Sequence, residues 1–182
     1  RSSGGDVLRR AKDANLRRDS LLAAAADGAV SRIERLVKVA GIDVNVRDHK
    51  WFGDAPLHYA ALEGKVDAIQ KLVTLGADVH AQNKIGNTPL HYAAIEGHAD
   101  ACKRLLRLGA DALSVNHKGH SPAVEADIHK QRGAADVLRA FVGEGFYDAR
   151  IGGDAGSSGL PATAYQEFHG PGGLSKGHGT GN

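Results

Sequence analysis

The sequence predicts an all-α protein: a solenoid of stacked helix-turn-helix units with short hairpin tips, followed by a Gly-rich C-terminal tail. Three observations predict it. Gly53-Asp-Ala-Pro-Leu-His-Tyr-Ala-Ala-Leu-Glu-Gly64 returns 33 residues later as Gly86-Asn-Thr-Pro-Leu-His-Tyr-Ala-Ala-Ile-Glu-Gly97. Between 53–85 and 86–118, 17 of 33 positions are identical, and they include the Gly, Pro, Ala and Leu that a helical hairpin needs for its turns and packing. From Gly152 to Asn182, 10 of 31 residues are Gly and no period remains. A fixed period of this length is the signature of stacked supersecondary units.

The elements follow in chain order. Residues 1–19 form a basic extension in which Arg9, Arg10, Lys12, Arg17 and Arg18 alternate with Asp6, Asp13 and Asp19. Interleaved signs read as a solvated helix face, with Leu8, Ala11 and Leu16 available to seat it on the first repeat. That repeat, 20–52, aligns Ala24-Ala-Ala-Asp-Gly28 with Ala60-Ala-Leu-Glu-Gly64 and Leu36 with Leu72. It carries three extra residues, one near Ala40 and two between His49 and Phe52.

The second and third repeats, 53–85 and 86–118, carry the full motif. A Thr88 or Ser121 hydroxyl can cap a helix whose first residue is the following Pro, where the missing N–H costs nothing. Gly64 and Gly97 end that short helix, since a left-handed residue after a helix is cheapest as Gly. A second helix is expected from about Val66 to Leu75, with Ile69, Leu72 and Val73 on one face at three- and four-residue spacing. Gly76 stops it. In the fourth unit, 119–143, Ser121-Pro122 keeps the period, but Ala123-Val-Glu-Ala-Asp127 replaces Leu-His-Tyr-Ala-Ala and Lys130 replaces the Gly. Degeneracy of this kind suits a terminal, capping unit.

The Pro-Leu-His-Tyr-Ala-Ala run, the Leu-Gly-Ala-Asp at 75–78 and 108–111, and the 33-residue spacing resemble the ankyrin repeat. The resemblance implies four repeats over 20–143. It also implies that His58 and His91 are structural hydrogen-bonders between units, and that inner helices and tips line one concave binding face. Asp43-Val-Asn45 resembles the site at which ankyrin repeats can be hydroxylated on Asn.

Composition narrows the function. Lys plus Arg is 23 against Asp plus Glu at 21, a net charge of +2 that gives no global argument for nucleic acid or a membrane surface. The basic side chains are uneven, 11 against 7 acidic ones in residues 1–50, which leaves nucleic acid only a weak third reading. The single Cys, Cys102, rules out an internal disulfide framework and aligns with Ile69, so an inert core thiol in a reducing compartment is expected. No apolar run approaches the roughly 20 residues of a membrane span. An intracellular, soluble protein is expected. With no Met, even at position 1, a processed or trimmed chain is expected, and an organelle is then an alternative to the cytoplasm.

A search for chemistry returns little. His80, His117, His120 and His129 lack the ligand spacing of a zinc site. Glu63 and Glu96 recur with the repeat and read as turn residues, not as an acid/base pair. No phosphate-cradling Gly motif stands in a strand-to-helix context. The sequence therefore predicts no enzyme, no metal, no cofactor and no small-molecule substrate.

What remains is the surface that stacking creates. Its motif-independent positions are Arg47, Trp51, Phe52, Asp54, Leu62 and Glu63 in one unit, and Gln82, Lys84, Ile85, Asn87, Ile95 and Glu96 in the next. His117, Lys118, His120, Ile128 and His129 follow. Trp51 beside Phe52 has the composition of an interface hot spot, although both rings could instead fold over the first repeat. The Gly-rich tail, 144–182, cannot offset its own ordering entropy. Unless it is flexible, a partner holds it through Leu160, Tyr165, Phe168 and Leu174. The expected function is a protein-binding adaptor or regulator acting through the concave face; the alternative is a permanent subunit of a large assembly, held by the tail.

Overall fold

The computed structural model describes residues 4–49 and 51–148, with side chains described over 15–49 and 51–143. The tail anchors Leu160, Tyr165, Phe168 and Leu174, and the side chains of Leu8 and Ala11, lie outside that range. The described residues form helices in four antiparallel pairs: α1 (Gly4–Asp27) with α2 (Val30–Lys38), α3 (Pro56–Leu62) with α4 (Val66–Thr74), α5 (Pro89–Ile95) with α6 (Ala99–Arg107), and α7 (Pro122–Ile128) with α8 (Arg132–Asp148). The extension and the first repeat's inner helix are thus one helix, α1. Leu16 does not seat it; its side chain is 68% exposed.

The pairs stack in two layers. Inner helices α1, α3, α5 and α7 pack in sequence, and so do outer helices α2, α4, α6 and α8. Between the layers runs one continuous core, from Leu21 and Ile33 through Leu57, Ile69 and Leu72 to Leu90, Leu105 and Leu138. Ala60, Ala61, Ala93 and Ala94 are buried where inner helices meet. Small side chains there let the backbones approach closely. Cys102 is fully buried at the position aligned with Ile69, and burial pushes its thiol up to about 12. Leu36, which aligns with the fully buried Leu72, is only half-buried; among the described residues its helix α2 has an outer-helix neighbour, α4, on one side only. Among the described residues no helix is long and apolar enough to cross a membrane.

One backbone position shows where the stack ends. Gly64 and Gly97 both adopt positive φ, 63° and 78°, and a Cβ at Gly64 would lie 2.7 Å from the His98 ring of the next repeat. A Cβ at Gly97 would run into the side-chain amide of Gln131. The equivalent residue in the fourth unit is Lys130, also left-handed at φ 60°. The Lys130 side chain is exposed, and among the described residues no further helix pair follows to crowd it.

Two stability outcomes follow. Leu72→Ala or Leu105→Ala, each emptying a fully buried site, should cost about 2 to 5 kcal/mol in denaturant unfolding. Lys130→Gly should raise stability by about 0.5 to 1 kcal/mol by relieving the left-handed strain, whereas Gly64→Lys should be severely destabilising. Equal effects at 64 and 130 would show that the two sites are not sterically different.

Candidate protein-binding surface

The inner face is built on a buried polar ladder that repeats with the sequence. Pro56, Pro89 and Pro122 open the inner helices. Just inside two of them, the ring Nδ1 of His58 accepts the Ala55 N–H at 3.1 Å, and that of His91 accepts the Thr88 N–H at 3.2 Å. Because Nδ1 accepts, the proton sits on Nε2. His58 Nε2 donates to the Asn87 carbonyl and His91 Nε2 to the His120 carbonyl, both at 3.0 Å. Each imidazole therefore caps its own helix and grips the next repeat's tip.

Capping by hydroxyl, expected at both Thr88 and Ser121, is clearest at Ser121, whose Oγ accepts from the Val124 N–H at 3.4 Å. Val124 stands where the two internal repeats have His58 and His91. The Thr88 hydroxyl is turned to the His91 ring at 2.9 Å.

A second chain of bonds runs beneath the tips. Tyr59 donates to Asp48 at 2.8 Å, Asn83 Nδ2 donates to Asp54 at 2.8 Å, and Asn116 Nδ2 donates to Asn87 Oδ1 at 2.9 Å. Tyr92 also donates to Asp54, at 3.3 Å. In the fourth unit Glu125 takes the place of these tyrosines and accepts from Asn116 at 2.8 Å. Asn83 Oδ1 and Asn116 Oδ1 fold their own tips by accepting N–H groups from Ile85 and Asn87, and from Lys118 and His120. Adjacent tips are joined directly: the Lys84 N–H donates to Phe52 O at 2.8 Å and the His117 N–H to Ile85 O at 3.0 Å. That approach leaves no room at Gly86 (φ 79°), where a Cβ would lie 2.7 Å from the His117 nitrogen.

This ladder corrects part of the expected surface. Asp54 and Asn87, predicted to face a partner, are 7% and 5% exposed, with side-chain oxygens that accept from the asparagine of the next tip. His120 is half-buried and its Nδ1 lies 3.1 Å from Glu125 Oε1. Asp48, Asn83, Asn116, Tyr59, Tyr92 and Glu125, which hold the tips, were not singled out from the sequence. Their signal was the same 33-residue phase, at which positions 83 and 116 are both Asn and 59 and 92 both Tyr.

The other expected residues lie on the outside, in columns of period 33: Trp51, Lys84 and His117; Phe52, Ile85 and Lys118; Leu62, Ile95 and Ile128; Glu63, Glu96 and His129. All are exposed except Leu62 and Ile95, which are half-buried. Trp51 and Phe52 are 70% and 49% exposed, so the rings do not fold back over the first repeat. Arg47 and Gln82 are exposed on neighbouring tips, with Arg47 Nη1 donating to the Gln82 carbonyl at 2.9 Å.

The ladder's electrostatics follow from burial. Desolvation pushes His58 down to about 4 and lowers His91 as well. Burial, reinforced by Asp48 beside Tyr59 and Asp54 beside Tyr92, raises both phenols above their ordinary range. At Glu125, burial pushes the carboxyl up, but hydrogen bonds from Asn116 and His120 outweigh it and hold it below its usual value. Among the described residues every buried side-chain nitrogen and oxygen has a partner, and no group of three or more His, Cys, Asp or Glu is placed to hold a metal.

Stacked helical pairs, an imidazole bond from each internal repeat to the next, and tips joined edge to edge define a helical repeat protein. The family model for ankyrin repeats (3 copies) matches residues 18–144, and the chain belongs to that family. Its span runs from within α1 to within α8. No curated protein matches the chain. Ankyrin repeats generally serve as protein–protein interaction modules and are typically non-enzymatic.

The histidines make stability pH-dependent. His58 has a pKa of about 4 when folded against 6.5 when free, so the unfolded chain takes up the proton first. The stability it confers is complete above about pH 6.5 and is lost as pH falls toward about 4. Between about pH 6.5 and pH 5 the loss should be about 2 kcal/mol for this residue, with His91 adding in the same direction. Urea midpoints across that interval, in the wild type and in His58→Gln, measure it. The variant's pH slope should be shallower; identical slopes would assign the proton elsewhere.

Proposed function

We propose that this protein is a non-enzymatic protein-interaction module, an adaptor or regulatory binder, whose partner docks across the tips and inner-helix ends. The observation that carries the reading is the exposure of Trp51 and Phe52, 70% and 49%, side by side at the first tip. Large aromatic side chains left in water cost free energy that a partner recovers by covering them. Ile85, 38% exposed, and Ile128, 53% exposed, extend the apolar surface across the later repeats. Lys84, Glu63 and Glu96 supply a charged rim, the arrangement of an apolar centre with a polar margin that interfaces share.

The stack's own chemistry supports a passive scaffold. His58 and His91 have both ring nitrogens committed to structural bonds, which leaves neither free to move a proton. The tail anchors Leu160, Tyr165, Phe168 and Leu174 are proposed as a second attachment to the same partner, by burial of large apolar side chains in an otherwise Gly-rich segment.

Native capture with mass spectrometry, followed by binding measurement on the isolated partner, tests the reading. Trp51→Ala with Phe52→Ala should weaken binding by more than about 2 kcal/mol while leaving the unfolding midpoint nearly unchanged. Lost stability with intact binding would show that the rings serve the fold instead.

A further inference from the structure

We infer that the groove between the first two tips docks an acidic peptide segment of the partner, one that pairs carboxylates with a large apolar side chain. The inference rests on the protein-binding reading above and adds the partner's chemistry. The groove is a shallow depression, largely open to solvent, lined by Arg47, His49, Gly53, Gln82 and Lys84 over the buried Asp48 and Asn83.

Its cations are held in place before any partner arrives. Arg47 Nη1 bridges the two tips by donating to Gly53 O at 3.3 Å and Gln82 O at 2.9 Å. Lys84 Nζ reaches back to the Trp51 carbonyl at 3.2 Å, which fixes the aromatic tip to the groove wall. A guanidinium and an ammonium carry more donors than these bonds consume, and both side chains are exposed. The remaining donors suit acceptor-only groups. Arg18 Nη1 lies 2.8 Å from His49 Nδ1; a guanidinium can only donate, so this ring nitrogen accepts and Nε2–H is left as a further donor.

The neighbouring carboxylates do not consume these cations. Asp48 and Asp54 are 5% and 7% exposed and accept from Tyr59, Asn83 and Tyr92 inside the ladder. They offset part of the positive field but turn bonded oxygens inward. On the rim stand Trp51 and Phe52. The groove thus offers a carboxylate-binding side and an aromatic side within one tip's width. A bidentate Arg–carboxylate pair gives such a site orientation, and a Lys- or Arg-rich segment would meet like charge.

Selection of random peptides displayed against the full chain tests the chemistry without prior choice of sequence. Recovered peptides should be rich in Asp and Glu next to an aromatic or aliphatic residue. As synthetic peptides they should change the emission of Trp51, the single Trp of the chain, in a saturable way that weakens with salt. Lys84→Glu alone, and Arg47→Glu with Lys84→Glu, should each weaken them about tenfold or more; the single variant keeps the test decisive if loss of Arg47 disturbs the tips.

Basic or uncharged winners, no winners, or acidic winners indifferent to Lys84→Glu would overturn the inference. So would a single-stranded oligonucleotide that displaces the peptides at lower concentration, since the groove would then read phosphate. The two readings fail separately: if the display fails while the Trp51 and Phe52 variant still loses its native partner, the binding module stands and only its partner chemistry is wrong.

Discussion

Each internal repeat donates one imidazole N–H to a carbonyl at the tip of the next, and the stack depends on that bond being made. His58 and His91 have no spare nitrogen: Nδ1 accepts the N–H of the helix-capping residue and Nε2 donates forward. The bond fixes the rotation of one repeat against another, because the acceptor must lie 3.0 Å from a ring already held at its other end. Protonating Nδ1 would set a donor against a donor in a site closed to water. The edge-on packing of the His58 and Tyr92 rings, with centroids 5.8 Å apart, ties the imidazole bond to the tyrosine that serves the polar ladder. Tips, inner helices and core are therefore not separate devices.

The fold was legible because a helical hairpin needs particular residues at particular places. Pro at the first helical position, Gly where the chain turns left-handed, and Ala where helices touch each have a local cause, and all recur in phase over 53–118. The site was less legible. Asp54, Asn87 and His120 share one position and vary in identity, and variation at a tip reads as surface freedom. Their burial has another origin: at 54 and 87 the residue must present a side-chain oxygen to the Asn that begins the next tip. Several residue types satisfy that requirement, so the constraint is on chemistry and not on identity. Trp51 and Phe52 posed the reverse difficulty, since composition alone does not say whether two aromatic rings at an insertion face the core or the solvent.

The first and last helix pairs depart from the middle ones for the same reason: among the described residues each has a neighbouring pair on one side only. Leu36 is half-buried where Leu72 and Leu105 are sealed, and Lys130 occupies a position that is Gly wherever another repeat lies on top. In the fourth unit Val124 replaces the gripping His, and Ser121 takes over the cap it would have made. The Asn116 and Glu125 pair replaces a tip contact that a tyrosine hydroxyl makes in the two internal repeats. Substitutions that look like decay in the sequence are those a terminal repeat can accept once no forward bond is required.

This separation of duties explains how one architecture carries a specific surface. Residues that hold the register point inward and have their polar atoms bonded, so they transmit little of their chemistry to the exterior. The outward columns are free of that duty and change character along the stack: Phe52, Ile85 and Lys118 run from aromatic to aliphatic to basic within one column, and Glu63, Glu96 and His129 from carboxylate to imidazole in another. Neighbouring tips are joined by backbone bonds, so the spacing between columns is set by the main chain and not by the side chains displayed. On the proposed function, a partner laid across the tips would meet the aromatic pair Trp51 and Phe52 at one end and His117 and Lys118 at the other. Such a gradient distinguishes one docking direction from its reverse, which a uniform apolar strip of the same area could not do.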